Sequence, residues 1–213
     1  MKTDDLIAML ANGVTAVDTH TARKRFQTAL LLGGLGAMAL VLTGYGLRHD
    51  LAQAALLPMF WAKFAFPLAT AVLAVLLTAR LAHPGMSSGK LWIMLPLPWI
   101  AIAAIAAWVL GNAAPAERIP LVLGQTWLSC AFSIAYVSTP ILIGMLWAAK
   151  GLAPTRPALT GACAGLASAA SGAMVYALHC PELQAPFLAV WYTLGMLIPT
   201  VVGALVGSKL LRW

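Results

Sequence analysis

Six long apolar stretches, separated by short segments rich in Gly, Pro, Ser and charge, run along the chain from about residue 26 to its end. A helix needs about 20 consecutive apolar residues to cross a hydrocarbon core roughly 30 Å thick, at about 1.5 Å of rise per residue. The pattern therefore predicts transmembrane helices over residues 26–47, 61–81, 91–110, 121–148, 158–178 and 187–207. The connections are too short for an extramembrane domain. Two parts are expected: a cytoplasmic N-terminal segment, residues 1–25, and a six-helix transmembrane domain, residues 26–213. The predicted fold class is all-α and polytopic, its helices forming three hairpins. The Pro- and Gly-containing loops around Pro84-Gly85 and Pro154 to Pro157 join them.

Pro67, Pro96, Pro98, Pro140 and Pro199 fall inside these stretches and are expected to kink or unwind them. The pairs Gly161/Gly165 and Gly203/Gly207 have the spacing that lets helix backbones approach closely, either within one bundle or at a homodimer seam. Phe60, Trp61, Trp127, Phe187, Trp191 and Tyr192 collect where even-numbered spans re-enter the bilayer and are read as an interfacial aromatic belt.

Composition agrees with the pattern: 62% of the 213 residues are hydrophobic and 9% charged, against about 25% charged in an ordinary soluble domain. Charge then sets orientation, because Lys and Arg near helix ends are retained in the cytoplasm. With both termini inside, Lys2, Arg23, Lys24, Arg25, Arg80, Lys90, Lys150, Arg156, Lys209 and Arg212 are internal, and Arg48, Lys63 and Arg118 lie at or near the outer side. Asp4, Asp5 and Asp18 fall inside, and Asp50, Glu117 and Glu182 outside, so the internal side carries the net charge of +7. That charge reads as contact with anionic membrane lipid, not with nucleic acid. Acids near the start argue against a cleavable signal peptide. Size and topology suggest a bacterial inner-membrane protein.

Ionisable groups inside a membrane usually mark transport or proton relay, and only Lys63 qualifies. It lies about one turn inside the outer end of its span, and is read as snorkelling its ammonium to the interface. With no intramembrane carboxylate, a small-molecule or metal-ion transporter is the lesser alternative. His20, His49, His83 and His179 fall at or beyond span ends, so no pair faces one another at the depth a membrane haem needs. Ser129, Ser133, Ser168 and Ser171 have no His at helical spacing within their spans. No catalysis and no resident cofactor are expected.

Cysteine and the N-terminus carry the remaining chemistry. Cys163 lies among small residues near the inner end of the fifth span and reads as packing; at helical rise it is about 25 Å from Cys180. Cys130, in the outer half of the fourth span, and Cys180, in His179-Cys180-Pro181-Glu182, share the outer half of the bundle, facing an oxidising compartment. They are either inert buried thiols, or a pair able to form a reversible disulfide or bind a soft metal ion with His179 or Glu182 assisting. At the start, Thr3 can cap a helix with Asp4 and Asp5 in its first turn, and Asn12-Gly13 can end it. Leu6, Ile7, Met9 and Leu10 give it an apolar face. About ten residues are too few for a stable free helix, so the segment should fold into a partner's groove or lie on the membrane; its acids favour a protein partner.

The opening Met1 to Ile7, Phe60-Trp61-Ala62-Lys63, Ala153 to Leu159, Tyr176 to Glu182 and Val190-Trp191-Tyr192 together resemble the NrsF family of membrane anti-sigma factors over essentially the whole chain. The resemblance implies that the N-terminal segment, through Thr3, Asp4, Asp5, Leu6, Ile7, Met9 and Leu10, sequesters an extracytoplasmic-function sigma factor. It also implies that Cys130 and Cys180 sense heavy-metal or oxidative stress, holding at most a transient metal ion, and prompt release. Cys163 is outside the family pattern.

Overall fold

Small side chains and chain breaks decide how the apolar helices assemble. The computed structural model of the protein describes residues 3–11, 21–83 and 85–212, without the side chains of Leu6 and Leu10. All regular structure among the described residues is helical. After α1 (Thr3–Ala11) and α2 (Thr21–Gly44) comes a loop holding the single turn α3 (Leu51–Ala54), then α4 (Pro58–Leu81). α5 (Gly89–Met94) and α6 (Leu97–Asn112) run on as one broken helix, as do α7 (Pro115–Leu123), α8 (Trp127–Val137) and α9 (Thr139–Lys150). The rest is α10 (Pro157–Tyr176), then the short α11 (Ala185–Phe187), a wide π turn (Leu188–Tyr192) and α12 (Thr193–Leu210). Six helical stretches are long and apolar enough to cross a membrane: Thr21–Gly44, Pro58–Leu81, Gly89–Asn112, Pro115–Lys150, Pro157–Tyr176 and Ala185–Leu210.

The breaks have local causes. Pro96 and Pro98 stand at the α5–α6 joint, and Pro140 lies in the first turn of α9, just after the break at Ser138; a proline removes one backbone donor and its ring crowds the preceding turn. The Ser138 hydroxyl donates to the Ile134 carbonyl at 2.6 Å across that break. Pro67 and Pro199 are instead accommodated within α4 and α12.

α10 is the hub, packing against α12, α4, α9 and α8. Its composition explains why. A β-carbon on Gly161 would strike the Gly203 carbonyl, and one on Gly165 the Pro199 carbonyl, so α10 and α12 meet backbone to backbone. The small-residue pairs of the sequence thus form a seam inside the bundle. α2 docks on α9, where a β-carbon on Gly33 would lie 2.6 Å from Ile141 Cα. Consecutive helices α2 and α4 barely touch, whereas the consecutive spans α10 and α12 pack most extensively. The aromatic belt is also redrawn: Phe60, Phe187 and Tyr192 are buried core side chains, while Trp61 is exposed and Trp127 lies against Trp191 at 5.4 Å.

Candidate functional site

Beyond Tyr176, α10 tightens into short turns, Leu178 N–H donating to Val175 and His179 N–H to Tyr176, until Pro181, which cannot donate and forces an extended chain before it. This corner, residues 177–184, leaves carbonyls pointing away from helix, and each must find a donor. The Lys63 ammonium of α4 donates to the Cys180 carbonyl at 2.6 Å and the Glu182 carbonyl at 2.9 Å. Arg48, from the loop after α2, gives its backbone N–H to Leu178 O at 3.1 Å and Nη1 to Cys180 O at 3.4 Å. Its guanidinium also grips Asp50 through two contacts of 2.7 Å, which hold the Arg48 pKa above and the Asp50 pKa below their ordinary values.

Lys63 therefore does not snorkel. It is fully buried, with its ammonium 5.7 Å from the centre of the Tyr192 ring, and its partners are carbonyls more than a hundred residues downstream. A buried charge persists only when hydrogen-bonded or paired, and the corner supplies those bonds.

The Glu182 side chain reaches the other way. Its Oε1 accepts from Gln125 N–H at 2.7 Å and Thr126 N–H at 3.2 Å, with the Thr126 hydroxyl at 3.4 Å. It thus caps the start of α8, where a negative charge is favoured by the helix dipole. Gly124, with φ of 56°, makes room: a β-carbon there would meet the Glu182 carboxyl and the Phe187 ring. One turn into α8 stands Cys130.

Cys130 and Cys180 are both fully buried free thiols and hydrogen-bond one another. The sequence places them in one half of the bundle, and the structure brings them into contact, but sealed inside the core instead of facing outward. That hydrogen bond is the chief influence lowering the Cys180 thiol to about 6; the Lys63 charge, the Glu182 N–H and the Tyr192 hydroxyl act the same way, against burial. The Tyr192 hydroxyl is buried with no nitrogen or oxygen partner, and the Cys180 sulfur lies beside it. Such surroundings favour the thiolate form of Cys180. Cys163 lies apart, in a small cluster with Leu77 and Leu91, as a packing residue.

His179 and Glu182 each have one ligating atom engaged elsewhere, Nδ1 and Oε1. His179 Nδ1 lies 3.0 Å from the Gly46 carbonyl, with its ring against Tyr45 and Tyr176. Among the described residues no group of three or more His, Cys, Asp or Glu could hold a metal ion. What the geometry offers a metal is two thiols, a set suited to a soft ion.

Upstream of α2 in sequence, α1 carries Asp4 and Asp5 in its first turn. Thr3, Asp4, Asp5, Ile7 and Met9 are exposed, the last two at 59% and 67%; Leu6 and Leu10 lie on the same helix, and the Asn12-Gly13 stop lies outside the described residues. The residues that pattern reading missed are Lys63 in its buried role, Arg48, Gly124 and Tyr192. A lone cation within an apolar run was the available signal for Lys63; the others carry none without the fold.

The family model described as negative regulator of sigma F, NrsF, matches residues 10–213. The chain is 47% identical over 213 residues to the probable anti-sigma-F factor NrsF of Azospira oryzae, and 37% identical over 214 residues to the anti-sigma-F factor NrsF of Caulobacter vibrioides. Both alignments cover 100% of each chain. No solved structure matches.

Proposed function

The chain belongs to the NrsF family of negative regulators of sigma F, and from that premise we propose that it is a multi-pass anti-sigma factor of the bacterial inner membrane. Both termini lie in the cytoplasm. Its α1 holds an extracytoplasmic-function sigma factor through Asp4, Asp5 and the apolar residues Leu6, Ile7, Met9 and Leu10. The full-length kinship with two anti-sigma-F factors carries the reading. The exposure of Ile7 and Met9 beside two acids supports α1 as the docking element, since a short amphipathic helix gains stability by seating its apolar face in a groove. The basic balance serves anionic lipid and leaves nucleic acid to the sigma factor.

In the sensing half, a soft metal ion takes the two thiolates of Cys130 and Cys180, displacing their protons, or a two-electron oxidant joins them as a disulfide with loss of two protons and two electrons. Either change alters the spacing of α8 and the corner. The corner is bonded to the loop after α2 through Arg48 N–H and His179, and the start of α2, which α1 precedes in sequence, is about 36 Å away at helical rise. A signal shifts such an equilibrium only through unequal affinity for the two arrangements. The transporter alternative is not favoured: the one cation buried in the core among the described residues, Lys63, is committed to backbone carbonyls.

The test is copurification of the full-length protein with its sigma factor from membranes. D4A/D5A/L6A should abolish capture, and C130A or C180A should keep capture but lose release by metal or peroxide. Capture surviving in the triple variant sinks the docking assignment, and normal release in both cysteine variants sinks the sensing one.

A further inference from the structure

The gap between α2 and α4 is a feature of the bundle that the sensor does not use. These consecutive helices diverge, one resting on α9 and the other on α10, and leave a cleft of about 450 Å³. Its walls are Leu30 and Gly34 on one side and Leu68, Val72 and Leu76 on the other; Ile141, Met174 and Val175 form the floor. Ser171 is the one polar side chain there, and its hydroxyl is already bonded to Ala167 O at 2.8 Å. Through the shared residues Leu30, Val75 and Leu76 the cleft runs into a second cavity of about 530 Å³, which opens at the α1 end of the bundle.

The character of the walls changes along the way. At the mouth stand Arg23 and Gln27 from α2, and Arg80 and His83 from the end of α4, with Phe26 behind them. Arg80 spends Nη1 on Ser87 O at 3.0 Å and keeps its other donors. No acid among the described residues lines this cavity; Asp50, Glu117 and Glu182 lie in loops or helix starts at the other end, and Asp4 and Asp5 belong to α1. From Leu68 to Arg80 the cleft is about 18 Å long at helical rise, and one leaflet of hydrocarbon is about 15 Å deep. A cleft that is apolar for the depth of a leaflet and cationic where the headgroups begin is complementary to a molecule with the same gradient.

We propose that the α2–α4 cleft is a binding site for an anionic phospholipid of the leaflet on the α1 side, its tail along Leu30, Val72 and Val75 and its phosphate between Arg23 and Arg80. The site requires only that the bundle lie in a bilayer and is independent of the anti-sigma reading. Arg23 is the third residue of α2, so the bound headgroup sits at the start of that helix.

The experiment uses the full chain in an uncharged detergent, with unfolding followed by tryptophan fluorescence. Phosphatidylglycerol should raise the unfolding midpoint; phosphatidylcholine with the same tails, and glycerol phosphate with none, should not. R23Q/R80Q should need about 30-fold more phosphatidylglycerol for the same rise, whereas K150Q/R156Q, at the same end but outside the cleft, should behave as the parent. If R23Q/R80Q fails to fold, L76W, which fills the cleft and leaves the charges in place, should abolish the rise. A photo-crosslinking residue at Val75 should yield a lipid adduct in membranes. An equal rise with phosphatidylcholine or glycerol phosphate, a full rise in R23Q/R80Q or L76W, or adducts on residues 3–11 or on a second copy of the chain would each overturn the assignment.

Discussion

Replacing Glu182 by Gln tests whether its carboxylate is a structural tie or a spare ligand. The two backbone donors it holds, Gln125 N–H and Thr126 N–H, lie 2.7 and 3.2 Å from Oε1. Hydrogen bonds to a charged acceptor contribute about 1.5–3 kcal/mol and neutral ones about 0.5–1.5 kcal/mol. The neutral amide therefore weakens the pair by about 2 kcal/mol, with some further loss because a charge no longer faces the α8 dipole. At about 1.4 kcal/mol per tenfold, amide exchange at Gln125 and Thr126 should quicken about 30-fold, and E182A should exceed this because both bonds vanish. Hydrogen exchange with mass spectrometry of the peptide spanning residues 120–128 gives the answer directly. Unchanged exchange in both variants would show that the carboxylate does not hold α8, and the proposed link between the corner and Cys130 would fall with it.

Alkylation of Cys180 in a C163S background, resolved by peptide mass spectrometry, should rise with pH around a midpoint of about 6, where an unperturbed thiol would rise near 9.0. The sign follows from a depressed folded-state value: the thiolate's stabilising contribution is complete above 9.0, declines as pH falls and is gone below about 6. K63M removes a cation beside that sulfur and should move the midpoint upward; a parent midpoint near 9.0, or no movement in K63M, would refute the cationic setting. G165A should destabilise the bundle by about 1–3 kcal/mol, since the new methyl meets the Pro199 carbonyl and Thr200 Cα, neither of which can yield. G111A, with nothing within 4 Å, should be neutral or slightly stabilising, and equal unfolding midpoints for the two would argue against the α10–α12 seam.

The six spans were readable because hydrophobicity over twenty residues is set by the bilayer and needs no tertiary knowledge. Their ends were less so: α2 starts at Thr21, not Phe26, because Arg23, Lys24 and Arg25 can occupy helix while their heads stay in the headgroup layer. The breaks at Pro96, Pro98 and Pro140 were legible, since proline acts on its own turn. Lys63 was misread because a helix considered alone offers its ammonium only water, and the carbonyls that hold it come from a corner 117 and 119 residues away. Glu182 suffered likewise, as its caps on α8 depend on the turn at Gly124. The thiol pair was suggested by family resemblance; spacing could place both cysteines in one half of the bundle but could not bring their sulfurs together.

The wide turn at Leu188–Tyr192 has a further consequence. Each helical residue advances about 100° around the axis, so one extra residue in a turn rotates everything beyond it by that amount. Within the wide turn, Trp191 Nε1 is bonded to the Val122 carbonyl at 2.9 Å and Tyr192 is set beside the thiols; downstream, Gly203 and Gly207 lie flush on α10. The insertion works as a phase adapter, and deleting a single residue from it would force the last helix to choose between sealing the cysteines and seating its glycines.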